Sequence, residues 1–133
     1  MFPDEPPGLH RPLVLLVTDD IDARRALQLL LRGSGFDVRA YASGWRLLSD
    51  TAALQARCLI AEDRMSDMDG AALLKLLRAS GWCWPALLIA RSGEHCPLGD
   101  FAAVLARGSV ESRLVAYVRR LMGVKAGPEH PSS

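Results

Sequence analysis

The sequence predicts an α/β fold, a single domain built on a parallel sheet with helices on both faces. Three observations carry this. Apolar residues run on without alternation in LVLLV (Leu13–Val17), CLIAE (Cys58–Glu62) and ALLIA (Ala86–Ala90), as expected of strands covered on both sides. Segments between these runs repeat apolar residues at helical spacing. Strand and helix alternate along the chain, the order that wraps a parallel sheet.

The elements follow in turn. Leu13–Val17 leads through TDD to Ala23, Ala26, Leu27, Leu30 and Leu31, one stripe on a helix face, which Gly33 and Gly35 bring to an end. DVRAYA (Asp37–Ala42) alternates as a half-buried strand, and Ser43 can cap a helix holding Trp45, Leu47 and Leu48. After CLIAE, GAALLKLLRAS (Gly70–Ser80) is the next helix and ALLIA the next strand. Glu111–Met122 closes the domain as a helix with Leu114, Val115, Val118, Leu121 and Met122 along one side. Before it, FAAVLA (Phe101–Ala106) fits a fifth strand, yet Leu98, Phe101, Ala102 and Leu105 also fit a helix with Pro97 in its first turn. The strand is the favoured reading. It leaves only the nine residues Ser92–Asp100 as a connection, where about ten to twelve are usual, and Gly93, Pro97 and Gly99 weaken any full helix there.

Length and charge bound the function. A chain of 133 residues, half of them apolar, suffices for one core and not two. The folded unit is read as residues 13–123, with Pro-, Gly- and Ser-rich flexible ends at 1–12 and 124–133. A net charge of +1, with cations scattered among acids, provides no nucleic-acid footprint. Cys58, Cys83 and Cys96 are odd in number and lack paired metal-ligand spacing, so they read as free thiols. The segment MFPDEPPGLHRP is no secretory signal and no apolar run is long enough for a bilayer, so a cytoplasmic protein without membrane attachment is expected. His10, His95 and His130 are isolated and are assigned no chemistry.

Four segments at their offsets, VTDDIDARRAL, AYASGWRLL, EDRMSDMDGAALL and the strand ALLIA after Pro85, resemble the receiver domains of bacterial two-component response regulators, in particular the branch related to nitrogen-fixation regulators. The likeness covers nearly the whole folded unit. It implies a flavodoxin-like sheet in the order 2-1-3-4-5, with the site at the carboxyl ends of the strands and a fourth helix shortened or absent. In that family a phosphoryl group passes from a histidine to an aspartate. Magnesium held by further acids, a lysine and a hydroxyl offset the repulsion between the two anions.

Carried over residue by residue, the family pattern fails at the site. Its acid pair falls on Thr18 and Asp19, followed by Asp20. Its acceptor aspartate, two residues before Arg-Met, falls on Glu62. The added methylene displaces the carboxylate by about an ångström, a misplacement that can cost about a hundredfold in rate. Asp63 falls where an apolar residue is usual, and one step along a strand reverses the side chain. Ser66 stands for the proline after Arg64-Met65. The switch hydroxyl falls on Ala90, the lysine on Arg107 if Phe101–Ala106 is the strand, and Lys-Pro becomes Arg107-Gly108. Arg91 adds a cation at the rim beside Arg64.

These departures concentrate on the site while the core pattern survives, which random drift would not do. The reading is therefore a pseudo-receiver, not an enzyme, that needs neither magnesium nor another cofactor. In it Glu62 and Arg107 pair bidentately and Arg91 faces Asp19 or Asp20. The alternative for these charges is solvation at a sheet edge. Two rival functions remain: a phosphate-accepting receiver using Glu62 or Asp63 with magnesium, and, more remotely, a magnesium-dependent phosphohydrolase on the same fold. The resemblance implies a protein partner, a histidine kinase or an output protein, with homodimerisation left open. Trp82 and Trp84 in GWCWP are either an exposed anchor for that partner or a cover over the end of the core. The chain either acts alone or belongs to a longer regulator.

Overall fold

The computed structural model describes residues 11–91 and 98–123. Five parallel strands, β1 (Leu13–Val17), β2 (Asp37–Tyr41), β3 (Cys58–Glu62), β4 (Ala86–Ala90) and β5 (Ala103–Ala106), form one sheet in the order β2-β1-β3-β4-β5. Phe101–Ala106 therefore contributes a strand, shorter by two residues than its sequence pattern, because Phe101 and Ala102 turn into the sheet from Leu98–Asp100. The helix that the resemblance places between β4 and β5 falls mainly on Ser92–Pro97, outside the described residues, as do residues 1–10 and 124–133, with the three histidines and Cys96. Arg11 and Pro12 belong to the described chain, and the Pro12 carbonyl already accepts the Asp37 N–H at 3.0 Å.

Among the described residues four helices pack on the sheet: α1 (Ile21–Gly33), α2 (Gly44–Leu48), α3 (Gly70–Ala79) and α4 (Val110–Met122). Strand parity divides the core in two. Val14, Leu16, Ile60, Leu87 and Ile89 meet Leu27 and Leu31 of α1 and Leu114 and Val118 of α4. Leu15, Val17, Leu59, Ala61 and Leu88 meet Leu47 of α2 and Leu73, Leu74 and Leu77 of α3. Each fully buried leucine contributes about 1.5–3 kcal/mol.

Side-chain caps fix where the helices begin. Asp20 Oδ1 accepts the N–H groups of Asp22 and Ala23 at 3.0 and 3.1 Å, Ser43 accepts that of Arg46, and Asp69 accepts that of Ala72 at 2.7 Å. Asp67, on the loop before α3, reaches across to the N–H groups of Gly44 and Trp45 and ties that loop to α2. Gly70 opens α3 so close to β3 that a Cβ there would lie 2.6 Å from the Glu62 carbonyl oxygen and 2.7 Å from Leu88. Two elements escaped the periodicity: the 3-10 turns over Thr51–Gln55, capped by Asp50, and over Arg107–Ser109 are too short to show a repeat.

The two readings offered for Trp82 and Trp84 divide between them. Trp82 is no exposed anchor: it is 3% exposed and its indole N–H donates to the Ala56 carbonyl at 2.9 Å. The polar tip of an indole is buried only with such a partner, and the chain after β3's preceding turn supplies it. Trp84 alone is exposed, at 40%, beneath the guanidinium of Arg57. Arg119 on α4 donates to the Ser34 carbonyl at 3.1 Å and joins α4 to the end of α1.

Trp82→Ala is expected to lower unfolding stability by about 3–5 kcal/mol and Trp84→Ala by less than about 1 kcal/mol. Urea denaturation of the two variants measures the contrast.

Candidate functional site

The carboxyl ends of β1, β3, β4 and β5 bring the candidate residues together. Strand parity puts Glu62 on the same side of the sheet as Ile60, the side covered by α1 and α4. Asp20, at the start of α1, and Arg107, between β5 and α4, come from the two segments that border this side. Ala90 pairs with Ala106 across β4 and β5, so the next residue, Arg107, leaves the sheet level with the end of β4. A 3-10 turn, Arg107–Ser109, carries it directly into α4.

Glu62 is 1% exposed. A carboxylate this deep needs a counter-charge, and Arg107 supplies it: Nη1 donates to Glu62 Oε2 at 2.6 Å. The second fork atom, Nη2, donates to Asp20 Oδ2 at 2.7 Å. The expected bidentate grip on Glu62 is thus a bridge across two carboxylates. Asp20 is already fixed by its cap bonds, and its free oxygen lies within the guanidinium's reach. Its carboxyl is held below the ordinary 3.8 first by the Ala23 N–H and then by Arg107.

The remaining groups are held more loosely. Arg91 stands at the rim, 3.9 Å from Asp19 Oδ1 and 4.0 Å from Glu62 Oε1, and donates to the Arg64 carbonyl at 3.2 Å. It faces Asp19, not Asp20. Among the described residues Glu62 Oε1 has no hydrogen-bond partner. Asp63 accepts the Arg91 backbone N–H at 3.2 Å and makes no contact with Arg107 among the described residues. Thr18 is fully buried and its hydroxyl oxygen accepts the Asp20 N–H at 3.1 Å. Arg64 enters through its backbone, in a bridge with Asp69. Trp82 and Trp84 precede β4 and so lie at the other end of the sheet.

Sequence reasoning missed two roles. Asp20 is the N-cap of α1, a role signalled by an acid just before the first apolar helical residue. Arg24 donates to the Thr18 carbonyl at 2.8 Å, and its signal is its place one helical turn after Asp20.

The donor set does not suit a divalent ion. Thr18 offers a hydroxyl where the receiver pattern has a carboxylate, Asp20 is committed to the α1 N–H groups and Arg107, and Glu62 Oε2 is taken by Arg107. Among the described residues no cluster of three or more His, Cys, Asp or Glu side chains is placed to hold a metal, and no described helix is long and apolar enough to cross a membrane.

Comparison with known proteins bears on this geometry. Residues 14–106 match the response regulator receiver domain family. The C4-dicarboxylate transport transcriptional regulatory protein DctD of Rhizobium meliloti is 36% identical over 83 residues, covering 62% of this chain and 18% of DctD. The transcriptional regulatory protein FixJ of Bradyrhizobium diazoefficiens is 28% identical over 81 residues, covering 61% of this chain and 40% of FixJ. The chain therefore spans well under half the length of these relatives. Among solved structures, the chemotaxis protein CheY4 of Vibrio cholerae superposes with a TM-score of 0.74 at 21% identity over 84% of this chain and 99% of that one. A response regulator receiver protein of Burkholderia phymatum gives 0.73 at 24% identity, with 90% and 100% covered. At these identities the structures bear on the fold alone.

Arg107→Ala leaves a buried carboxylate without its cation. The expected loss is about 2–4 kcal/mol, reduced from the range for broken buried pairs because Arg107 is itself 30% exposed. Adding Glu62→Gln should recover most of it, and urea unfolding of the single and double variants measures the coupling. Asp20 gives a pH signature. Its folded value is depressed, so its contribution is complete above the ordinary 3.8 and is lost as pH falls below that. Between pH 5 and 2.5, roughly, the wild-type unfolding midpoint should fall more steeply than that of Asp20→Asn, which keeps the cap.

Proposed function

The chain belongs to the response regulator receiver domain family, whose members are signalling modules of two-component systems, and from that premise we propose that it is a pseudo-receiver: it signals by protein contact, without phosphoryl transfer or magnesium. The observation that carries this is the Arg107 bridge to Glu62 and Asp20 at 2.6 and 2.7 Å. An incoming dianion would have to displace a guanidinium from a carboxylate that is only 1% exposed. It would then meet Glu62, whose chain is a methylene too long for the attack.

The absence of a hydroxyl at Ala90 supports the same reading, because a methyl group cannot report a bound phosphoryl oxygen to the surface. The partner, a kinase or an output protein, would then recognise one constant face. In this reading the domain is a cytoplasmic binding module and no enzyme, and it requires no cofactor.

Incubation with radiolabelled acetyl phosphate, with and without magnesium, is the test. The expected result is no acid-stable, alkali-labile label. Stoichiometric label that disappears in Glu62→Gln or Asp63→Asn would overturn the proposal and establish a working phosphoacceptor.

A further inference from the structure

We propose that the amino end of the sheet, opposite Glu62 and Arg107, is a binding site for a small anion carrying a diphosphate group. The starts of β2, β1 and β3 lie side by side there, with Leu13 level with Asp37 and Val14 level with Cys58. An open cleft of about 750 Å³ runs across them, lined by Arg11, Arg32, Arg39 and Arg57, with Asp37 and Gln55 among its other polar side chains.

The cations of this cleft exceed its anions. Arg39 is matched by Asp50 at 3.2 Å. Among the described residues Arg11, Arg32 and Arg57 meet no carboxylate within ion-pair distance, which leaves Asp37 alone against three guanidiniums. Two of them are oriented by backbone carbonyls: Arg11 donates to the Arg32 carbonyl at 3.3 Å and Arg32 to the Val38 carbonyl at 3.4 Å. Arg57 rests over the Trp84 ring, 5.1 Å from its centroid, and its N–H edge makes no hydrogen bond among the described residues.

Guanidiniums gathered this way repel one another, and an anion between them removes the repulsion. Their planar forks fit phosphoryl oxygens two at a time. The volume sets the size of the ligand. It lies in the range of pockets for small organic molecules, about 300–1,000 Å³, and is larger than a single phosphate fills. The cleft is also too small to follow a nucleic-acid backbone, and the net charge of +1 leaves no basic face beyond it for one. The site is separate from the Arg107 bridge, so its occupancy does not depend on whether Glu62 accepts phosphate.

Calorimetric titration of the full 133-residue chain with inorganic pyrophosphate and with ADP, without metal and at constant ionic strength, tests the proposal. Saturable one-to-one binding with a Kd below about 1 mM is expected. Arg57→Gln and Arg32→Gln should each weaken it about tenfold or more, and Arg113→Gln on α4 should leave it unchanged. Arg11→Gln, on the chain before β1, keeps the test readable if Arg57→Gln disturbs the loop around Trp84. Tighter binding of ADP would assign its base to the Trp84 side of the cleft, and equal binding would assign recognition to the diphosphate alone. No saturation by about 1 mM, or equal weakening by Arg113→Gln, which marks general charge screening, would overturn the proposal.

Discussion

A carboxylate buried at the end of a central strand is the constraint around which this domain is organised. Glu62 lies between β1 and β4, where water does not reach it, and its charge can persist only beside a cation. Arg107 meets that need from a position 45 residues away in sequence and holds Asp20, 87 residues away, with its other arm. The contact therefore joins a strand end, a helix start and the segment leading into the last helix. A lysine, with one ammonium on a flexible stem, could not span the two acids with the same fixed geometry.

The sheet also separates two chemistries. Its carboxyl ends collect acids and the cations that answer them, as crevices at strand ends in such folds commonly collect ligands. Its amino ends collect arginines, of which only Arg39 meets a carboxylate among the described residues. The apolar strands between them are covered on both faces, so the two ends communicate only through a packed core that deforms little.

Much of this was legible in the sequence. Three strands follow from continuous apolar runs, β2 from alternation and β5 as the favoured of two readings, and the buried pair follows from Glu62 and Arg107 taking the acceptor and lysine positions of the receiver pattern. The split of the guanidinium between two acids was not legible, because Asp20 shows two functions in one residue: its cap bonds fix the carboxylate, and only then is the free oxygen in reach. Trp82 stayed open between exposed anchor and core cover for a related reason. An indole in a Gly- and Pro-flanked loop has the composition of an exposed anchor, and the acceptor that draws it inward, the Ala56 carbonyl, lies on a separate turn. The 3-10 turn at Thr51–Gln55 is shorter than any repeat that periodicity detects. Local pattern reports strands and long helices well. It reports poorly on contacts made by two distant backbones.

The approach of α3 to β3 at Gly70 adds a mechanical consequence. Because the helix start rests on the Glu62 carbonyl with no room for a methyl group, the backbone of the acid-bearing residue is braced from behind by main chain, not by a side chain that can change rotamer. Asp67 extends the brace to α2. Movement at the acid therefore has to displace a whole helix, so this corner of the molecule behaves as a rigid mount, and any adaptability the domain has must reside in the side chains around it.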